Sequence, residues 1–87
     1  MMSSKDLRTK KIRAFVLLTM RPGTSEEIVA SRKIKGVKMA NSVLGRFDAV
    51  AVVEADTSDE LAKIIYEMLE KNPYVVRTET MLSMFIP

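Results

Sequence analysis

Residues 37–55 read VKMANSVLGRFDAVAVVEA and predict two β-strands joined by a tight turn. In residues 37–43 the side chains fall into two alternating sets, as they do on the two faces of a strand. In residues 48–55 both alternating sets contain apolar side chains. The letters GRF at 45–47 supply the turn, where a glycine accepts backbone angles that other residues avoid. The chain is therefore expected to contain a β-hairpin at its centre.

A strand and a helix are predicted before this hairpin. Residues 12–20, IRAFVLLTM, are rich in strand-forming residues and apolar in both alternating sets, which is typical of a strand covered on both faces. Thr24 and Glu27 have the spacing of a capping box, in which two side chains satisfy the free backbone amides at the start of a helix. They predict a helix over residues 25–34.

A helix and a strand are predicted again after the hairpin. Thr57 and Glu60 repeat the capping box, and Asn72 and Pro73 end the helix that follows. Residues 75–86 alternate along their length and predict the last strand. The apolar residues of the second helix recur with the spacing of one buried face: Leu61, Ile64, Ile65, Met68 and Leu69.

The resulting order, β-α-β-β-α-β, predicts an α+β fold of the ferredoxin-like sandwich type. Its two β-α-β halves, joined by the hairpin, are expected to form a four-stranded antiparallel sheet with both helices on one face. Residues 12–20 and 48–55 are apolar on the other face as well, and a second subunit packed sheet against sheet would cover it. The alternative is a monomer with a few exposed apolar side chains.

The chain of 87 residues contains no cysteine, histidine or tryptophan, and this excludes several kinds of chemistry. Disulfides, cysteine nucleophiles and serine–histidine pairs are impossible, while zinc, haem and iron–sulfur sites lose their preferred ligands. No metal, cofactor or catalytic residue is therefore expected, and the protein is not expected to be an enzyme. A domain of this size buries a limited share of its surface, so association is expected to stabilise it.

The basic residues are concentrated at the N-terminus. Residues 1–13 carry five basic residues and one acidic residue, whereas residues 14–87 carry nine and ten. Residues 1–11 are therefore expected to form a flexible basic arm, which either contacts phosphates or is solvated, before a single domain over residues 12–87. No apolar run is long enough for a membrane span or a signal peptide, so a cytoplasmic protein is expected.

Four segments resemble the effector domain, or RAM domain, of the Lrp/AsnC regulators. They are AFVLLTMRPG at 14–23, GV at 36–37, GRFD at 45–48 and VVRTETML at 75–82, and the resemblance extends over residues 13–85. Only about a dozen residues precede the first strand, too few for the helix-turn-helix with which the full regulators read DNA. The resemblance therefore implies a stand-alone RAM domain without direct sequence-specific DNA binding.

The resemblance also implies partners and a binding site. Members of the family pair through their sheets as homodimers, often form rings of dimers, and bind free amino acids as effectors where dimers meet. Carried over residue by residue, the resemblance implies a ligand-binding site at Leu44, Gly45, Arg46, Asp48, Thr78 and Thr80.

The residue types of this implied site suit an amino-acid ligand. A glycine turn exposes backbone amides to a carboxylate, and Asp48 would hold the ammonium group. Thr78 and Thr80, two apart on a strand, would point the same way and orient the ligand through their hydroxyl groups. Simpler explanations stay open, because Asp48 can also bind the amides of its own hairpin and threonines are common in strands.

Two positions of the hairpin depart from the family pattern. Leu44 stands where a small or polar residue is common, and Phe47 replaces the more usual tyrosine. The departures leave the identity of the ligand open. Because Leu44 and Met81 lie near the motifs and no second charge is evident, a ligand with a hydrophobic side chain is expected.

The function expected from these features is that of an amino-acid sensor and regulator. It would act in amino-acid metabolism or transcription, through assembly with itself or with full-length Lrp/AsnC regulators. The alternative is a small cofactor-free dimeric enzyme of the ferredoxin-like barrel type. An RNA-recognition domain shares the order of elements but stacks bases on several aromatic residues of its central strands. In this chain Phe15 is the only aromatic residue predicted on the first three strands, apart from Phe47 in the hairpin.

Overall fold

The computed structural model describes residues 11–83 and contains a four-stranded sheet with two helices packed on one face. The elements are β1 (Ile12–Met20), α1 (Ser25–Lys33), β2 (Val37–Ser42), β3 (Ala49–Ala55), α2 (Ser58–Glu70) and β4 (Val75–Ser83). The strand order is β2-β3-β1-β4, and each neighbouring pair is antiparallel. The predicted ferredoxin-like β-α-β-β-α-β fold is confirmed.

The strands lie close to their predicted positions. β1 occupies the nine residues predicted for it, and β2 and β3 are each one residue shorter than predicted. β4 begins at Val75 as predicted and is described as far as Ser83. The rest of the predicted last strand, residues 84–86, and the predicted basic arm up to residue 10 lie outside the described residues.

The first helix differs from the predicted one. α1 is a 3₁₀ helix, in which each backbone bond spans three residues, and the Glu27 N–H donates to the Thr24 carbonyl at 2.9 Å. Because Thr24 has φ −115° and ψ 6°, its hydroxyl donates back to the Arg21 carbonyl at 2.7 Å and makes no cap. The predicted capping box at Thr24 and Glu27 is wrong. The buried residues Ile28 and Ser31 lie three positions apart, as one face of a 3₁₀ helix requires.

The second helix begins at the predicted capping box. The Thr57 hydroxyl accepts from the Glu60 N–H at 3.1 Å, and the Glu60 carboxylate accepts from the Asp56 N–H at 3.0 Å. The predicted box at Thr57 and Glu60 is confirmed, except that the Glu60 carboxylate accepts from the N–H of Asp56 and not from that of the cap residue Thr57. Leu61 and Met68 lie on the buried side of α2 and pack this helix against the central strands.

A buried polar contact joins the two helices. The Asn72 side-chain amide donates to the Ser31 hydroxyl at 2.7 Å and to the Met68 carbonyl at 2.6 Å. Asn72 and Ser31 are both buried, so these bonds satisfy groups that would otherwise destabilise the core. Asn72 therefore also connects the end of α2 to α1, a role that its position as a helix terminator does not predict.

The core lies between the helices and the central strands β1 and β3. Alternate residues of both strands face it, and those of β3 are mostly alanines, which let the helices approach the sheet closely. Its fully buried larger side chains are Val16, Leu18, Ile28, Val53 and Met68.

The opposite face of the sheet carries no helix from residues 11–83. We call it the open face and define it by its apolar side chains, which are Phe15, Leu17, Met39, Val50, Val52 and Met81. Val52 lies at its centre, paired with Phe15 on β1 and with Met39 on β2. The open face is therefore the apolar surface that the sequence predicts to need a cover.

Candidate functional site

The hairpin between β2 and β3 holds the first half of the implied ligand site. The Val43 N–H donates to the Asp48 carbonyl at 2.9 Å and closes the turn. At its tip Gly45 has φ +146°, an angle that favours glycine, and the residue Leu44 is 104% exposed. A large apolar side chain that projects fully into solvent from a tight turn is free to contact a partner.

Asp48 anchors this hairpin to the end of β1. Its backbone N–H donates to the Leu18 carbonyl at 2.8 Å, and its carboxylate accepts from the Met20 N–H at 2.7 Å. The carboxylate therefore binds a backbone amide of the neighbouring strand β1. The sequence alone suggests a different partner, the backbone amides of the hairpin that contains Asp48. Only one carboxylate oxygen takes part in this bond, so the other retains acceptor capacity.

Replacing Asp48 with alanine is expected to lower the free energy of unfolding by about 1–3 kcal/mol, because the amide of the buried Met20 loses this acceptor. Asp48→Asn is the matched variant, since its amide oxygen can still accept from Met20 without carrying a charge. Denaturant unfolding at a single protein concentration measures both. Unchanged stability in Asp48→Ala would contradict the anchoring role. An Asn variant with restored stability but weakened amino-acid binding would show that the charge also serves a ligand.

The second half of the implied site lies on β4. Thr78 pairs with Leu18 and Thr80 with Val16, so both threonines lie on the side of the sheet that carries the helices. The expectation that they point the same way is confirmed. Because β4 is an edge strand that the helices hardly cover, Thr78 is half-buried and Thr80 is exposed.

Arg46 belongs to a cleft on the other side of the sheet. Together with Phe47 it lines a cavity of about 350 Å³, whose remaining walls come from β1 and β4. Those walls are Thr19, which pairs with Arg77, and the side chains of Arg77 and Glu79. Because side chains alternate along β4, these two charged residues lie on the opposite face of the sheet from Thr78 and Thr80.

One subunit therefore does not gather the six implied site residues into one cleft. Leu44, Gly45 and Asp48 lie together in the hairpin, whereas the threonines lie on the helix side of β4 and Arg46 lines a cavity on the open face. Sequence reasoning passed over Arg77 and Glu79. The signal that could have found them is the same alternation that groups Thr78 with Thr80.

No helix within residues 11–83 is long and apolar enough to cross a membrane. Within the same residues, no group of three or more aspartate, glutamate, histidine or cysteine side chains is placed so that it could hold a metal ion.

Comparison with known proteins identifies the family. The family model of the Lrp/AsnC ligand-binding domain matches residues 13–86. The chain belongs to the Lrp/AsnC ligand-binding domain family. The resemblance drawn from the four motifs is confirmed, and the match takes in the hairpin, the threonine motif and the cleft described above.

Solved structures share the fold of this Lrp/AsnC domain. The hypothetical protein PHS023 from Pyrococcus horikoshii has a TM-score of 0.77 and 30% identity over 86% of this chain and 92% of its own. AsnC from E. coli has a TM-score of 0.77 and 17% identity over 100% of this chain and 59% of its own. The comparison with curated proteins finds no match.

A third solved structure is a complex with an amino acid. It is the transcriptional regulator NMB0573 of Neisseria meningitidis with L-Met, which aligns with a TM-score of 0.71 and 15% identity. The alignment covers 98% of this chain and 56% of that one. At these identities AsnC and NMB0573 share the fold, and the Lrp/AsnC domain described here corresponds to little more than half of either chain.

Proposed function

We propose that this chain is an amino-acid-responsive regulatory module that forms homodimers through the open face. It binds a free amino acid near the hairpin and acts in amino-acid metabolism or transcription. It does so by assembling with itself, as dimers or rings of dimers, or with full-length Lrp/AsnC regulators. The observation that carries the proposal is the match of residues 13–86 to a ligand-binding domain of regulators. The L-Met complex of NMB0573 supports an amino acid as the effector.

The open face supports the homodimer. Its central residue, Val52, is half-buried by its neighbours on β1 and β2, and further apolar side chains surround it on all four strands. A second copy of the same face matches it in size and polarity, and a two-fold axis lets each copy cover the other. Burial of this surface also compensates for the small core of a short chain.

The regulatory module is preferred over the enzyme alternative. An enzyme of the ferredoxin-like barrel type would hold its substrate between the sheet and the helices. In this structure Val16, Leu18 and Met68 are fully buried in that space, within a continuous apolar core. Residues 11–83 also contain no helix-turn-helix, because a strand follows each of the two helices, so these residues are not expected to read a DNA sequence.

A thermal-shift screen of the twenty amino acids tests the effector. A ligand present at about 100 times its dissociation constant adds about 2.7 kcal/mol of stability, which raises the Tm of a domain of this size by roughly 10–20 °C. At least one amino acid is expected to produce such a shift. Tyr66→Ala, on the exposed surface of α2, should retain it. A screen in which no amino acid raises the Tm at about 10 mM, ten times a dissociation constant of 1 mM, would contradict the proposal.

A further inference from the structure

The cleft that contains Arg46 lies at one corner of the open face. Thr19 is the last residue but one of β1, and its partner Arg77 is near the start of β4. Thr19 lies four positions along β1 from Phe15, the partner of the central Val52, a distance of about 13 Å. The cleft is therefore at the rim of the surface that the proposed dimer would bury, and the hairpin closes one side of it.

The charged side chains of this cleft have no partners among residues 11–83. Two arginines elsewhere in the described part of the chain are engaged: Arg13 bonds to the Glu54 carboxylate at 2.8 Å, and Arg32 donates to the Ala40 carbonyl at 2.8 Å. Within the described part of the chain, by contrast, Arg46, Arg77 and Glu79 make no ion pair and no side-chain hydrogen bond. Two guanidinium groups and one carboxylate thus face a common space with a net charge of +1.

We propose that this cleft binds an α-amino acid with a second carboxylate, of the aspartate and glutamate class; the proposal rests on the amino-acid-binding function proposed above. Arginine binds carboxylates through two parallel N–H donors, so Arg46 and Arg77 each take one carboxylate of the ligand. Glu79 takes the ammonium group. The ring of Phe47 packs against the methylene groups between them.

Charge balance selects this class over the other amino acids. An acidic amino acid carries a net charge of −1 at neutral pH and neutralises the cleft. A neutral amino acid leaves one guanidinium group without a carboxylate, and a basic one adds a third positive charge. Glu79 also repels an anion that has no ammonium group, such as inorganic phosphate or a plain dicarboxylate. The cleft of about 350 Å³ is at the small end of ligand-binding pockets, as a metabolite of this size requires.

The charges of the cleft change the expected chemistry of the effector. A hydrophobic ligand side chain is expected from the sequence because no second charge is evident near the motifs. The structure supplies that charge, since pairing of β4 with β1 brings Arg77 into the same cleft as Arg46. The two arginines are 31 positions apart along the chain, so inspection of the motifs does not associate them.

Isothermal titration of the whole chain with five ligands tests the inference. The ligands are L-glutamate, L-aspartate, L-glutamine, L-leucine and glutarate. L-Glutamate or L-aspartate is expected to bind at least about 10-fold more tightly than glutamine, which matches glutamate in shape but lacks the second charge. The acidic amino acid should also bind more tightly than glutarate, which lacks the ammonium group. Inorganic phosphate that displaces the acidic amino acid at equal concentration would indicate a simple anion patch and overturn the inference.

Two single substitutions and one control identify the groups responsible. Arg77→Gln should weaken binding of the acidic amino acid at least about 10-fold and abolish its preference over glutamine. Glu79→Gln should weaken the acidic amino acid but leave glutarate binding equal or tighter, because the repelling carboxylate is gone. Arg21→Gln is the matched control, an exposed arginine outside the cleft, and should bind as the unmodified chain does. Sedimentation of each variant verifies that assembly is unchanged.

The outcomes separate this inference from the function on which it rests. Tight binding of a neutral amino acid that neither Arg77→Gln nor Glu79→Gln affects would overturn the cleft assignment and leave the proposed function standing. Equal binding of L-glutamate to Arg77→Gln and to the unmodified chain would do the same. If no amino acid binds, both the cleft assignment and the proposed amino-acid-binding function are contradicted.

Discussion

Replacing Val52 with aspartate is expected to convert the protein from the proposed homodimer to a 9.8 kDa monomer. Val52 occupies the centre of the open face, between Phe15 and Met39 on the two neighbouring strands. In a two-fold dimer the substitution occurs twice in one interface, and each carboxylate would be buried without a partner. An uncompensated buried charge costs about 3–5 kcal/mol, so the dimer dissociation constant should rise by at least about 100-fold.

Sedimentation equilibrium over a range of protein concentrations measures this change. Tyr66→Asp is the matched control, because it places the same charge on an exposed residue of α2, on the opposite side of the molecule. It should leave the dimer intact. A Val52→Asp protein that sediments as the same dimer, or an unmodified chain that is monomeric at micromolar concentration, would show that the open face is not the interface.

Replacing Gly36 with alanine is expected to lower the free energy of unfolding by about 2–5 kcal/mol. Gly36 has φ +99°, where an L-residue is strained by about 1–2 kcal/mol. A Cβ atom at this position would lie 2.5 Å from Ile64 Cδ1 and 3.2 Å from the Glu54 carbonyl oxygen. The Ile64 side chain can rotate, but the backbone of β3 must move, and such overpacking adds about 1–3 kcal/mol.

Gly23 offers a matched comparison. It has φ +81°, yet an added Cβ atom would meet nothing within 4 Å, so Gly23→Ala should cost only the conformational strain. A Gly36→Ala, Ile64→Val double variant removes Ile64 Cδ1 and should recover part of the loss. Denaturant unfolding at a constant protein concentration measures all three variants. Equal losses for Gly23→Ala and Gly36→Ala would show that contact with α2 and β3 contributes nothing.

The features that could be predicted from the sequence are local or periodic. The order of elements follows from residues that alternate or recur along a single strand or helix, as in β1 and in the apolar face of α2. The box at Thr57 and Glu60 forms because both residues belong to the same turn. The apolar open face was predictable for the same reason, since alternation assigns side chains to faces without knowledge of their neighbours.

The features that sequence reasoning missed depend on contacts between distant segments. The Asp48 carboxylate reaches Met20, 28 residues away, and Asn72 reaches Ser31, 41 residues away. The cap at Thr24 failed although its residue pattern was right, because the backbone angles at that turn direct the hydroxyl elsewhere.

The cleft of Arg46, Arg77 and Glu79 likewise exists because β4 pairs with β1 in one register. Periodicity tells which face of the sheet a side chain occupies. Strand register and turn geometry tell which side chains it meets there, and these arise from packing of the whole chain.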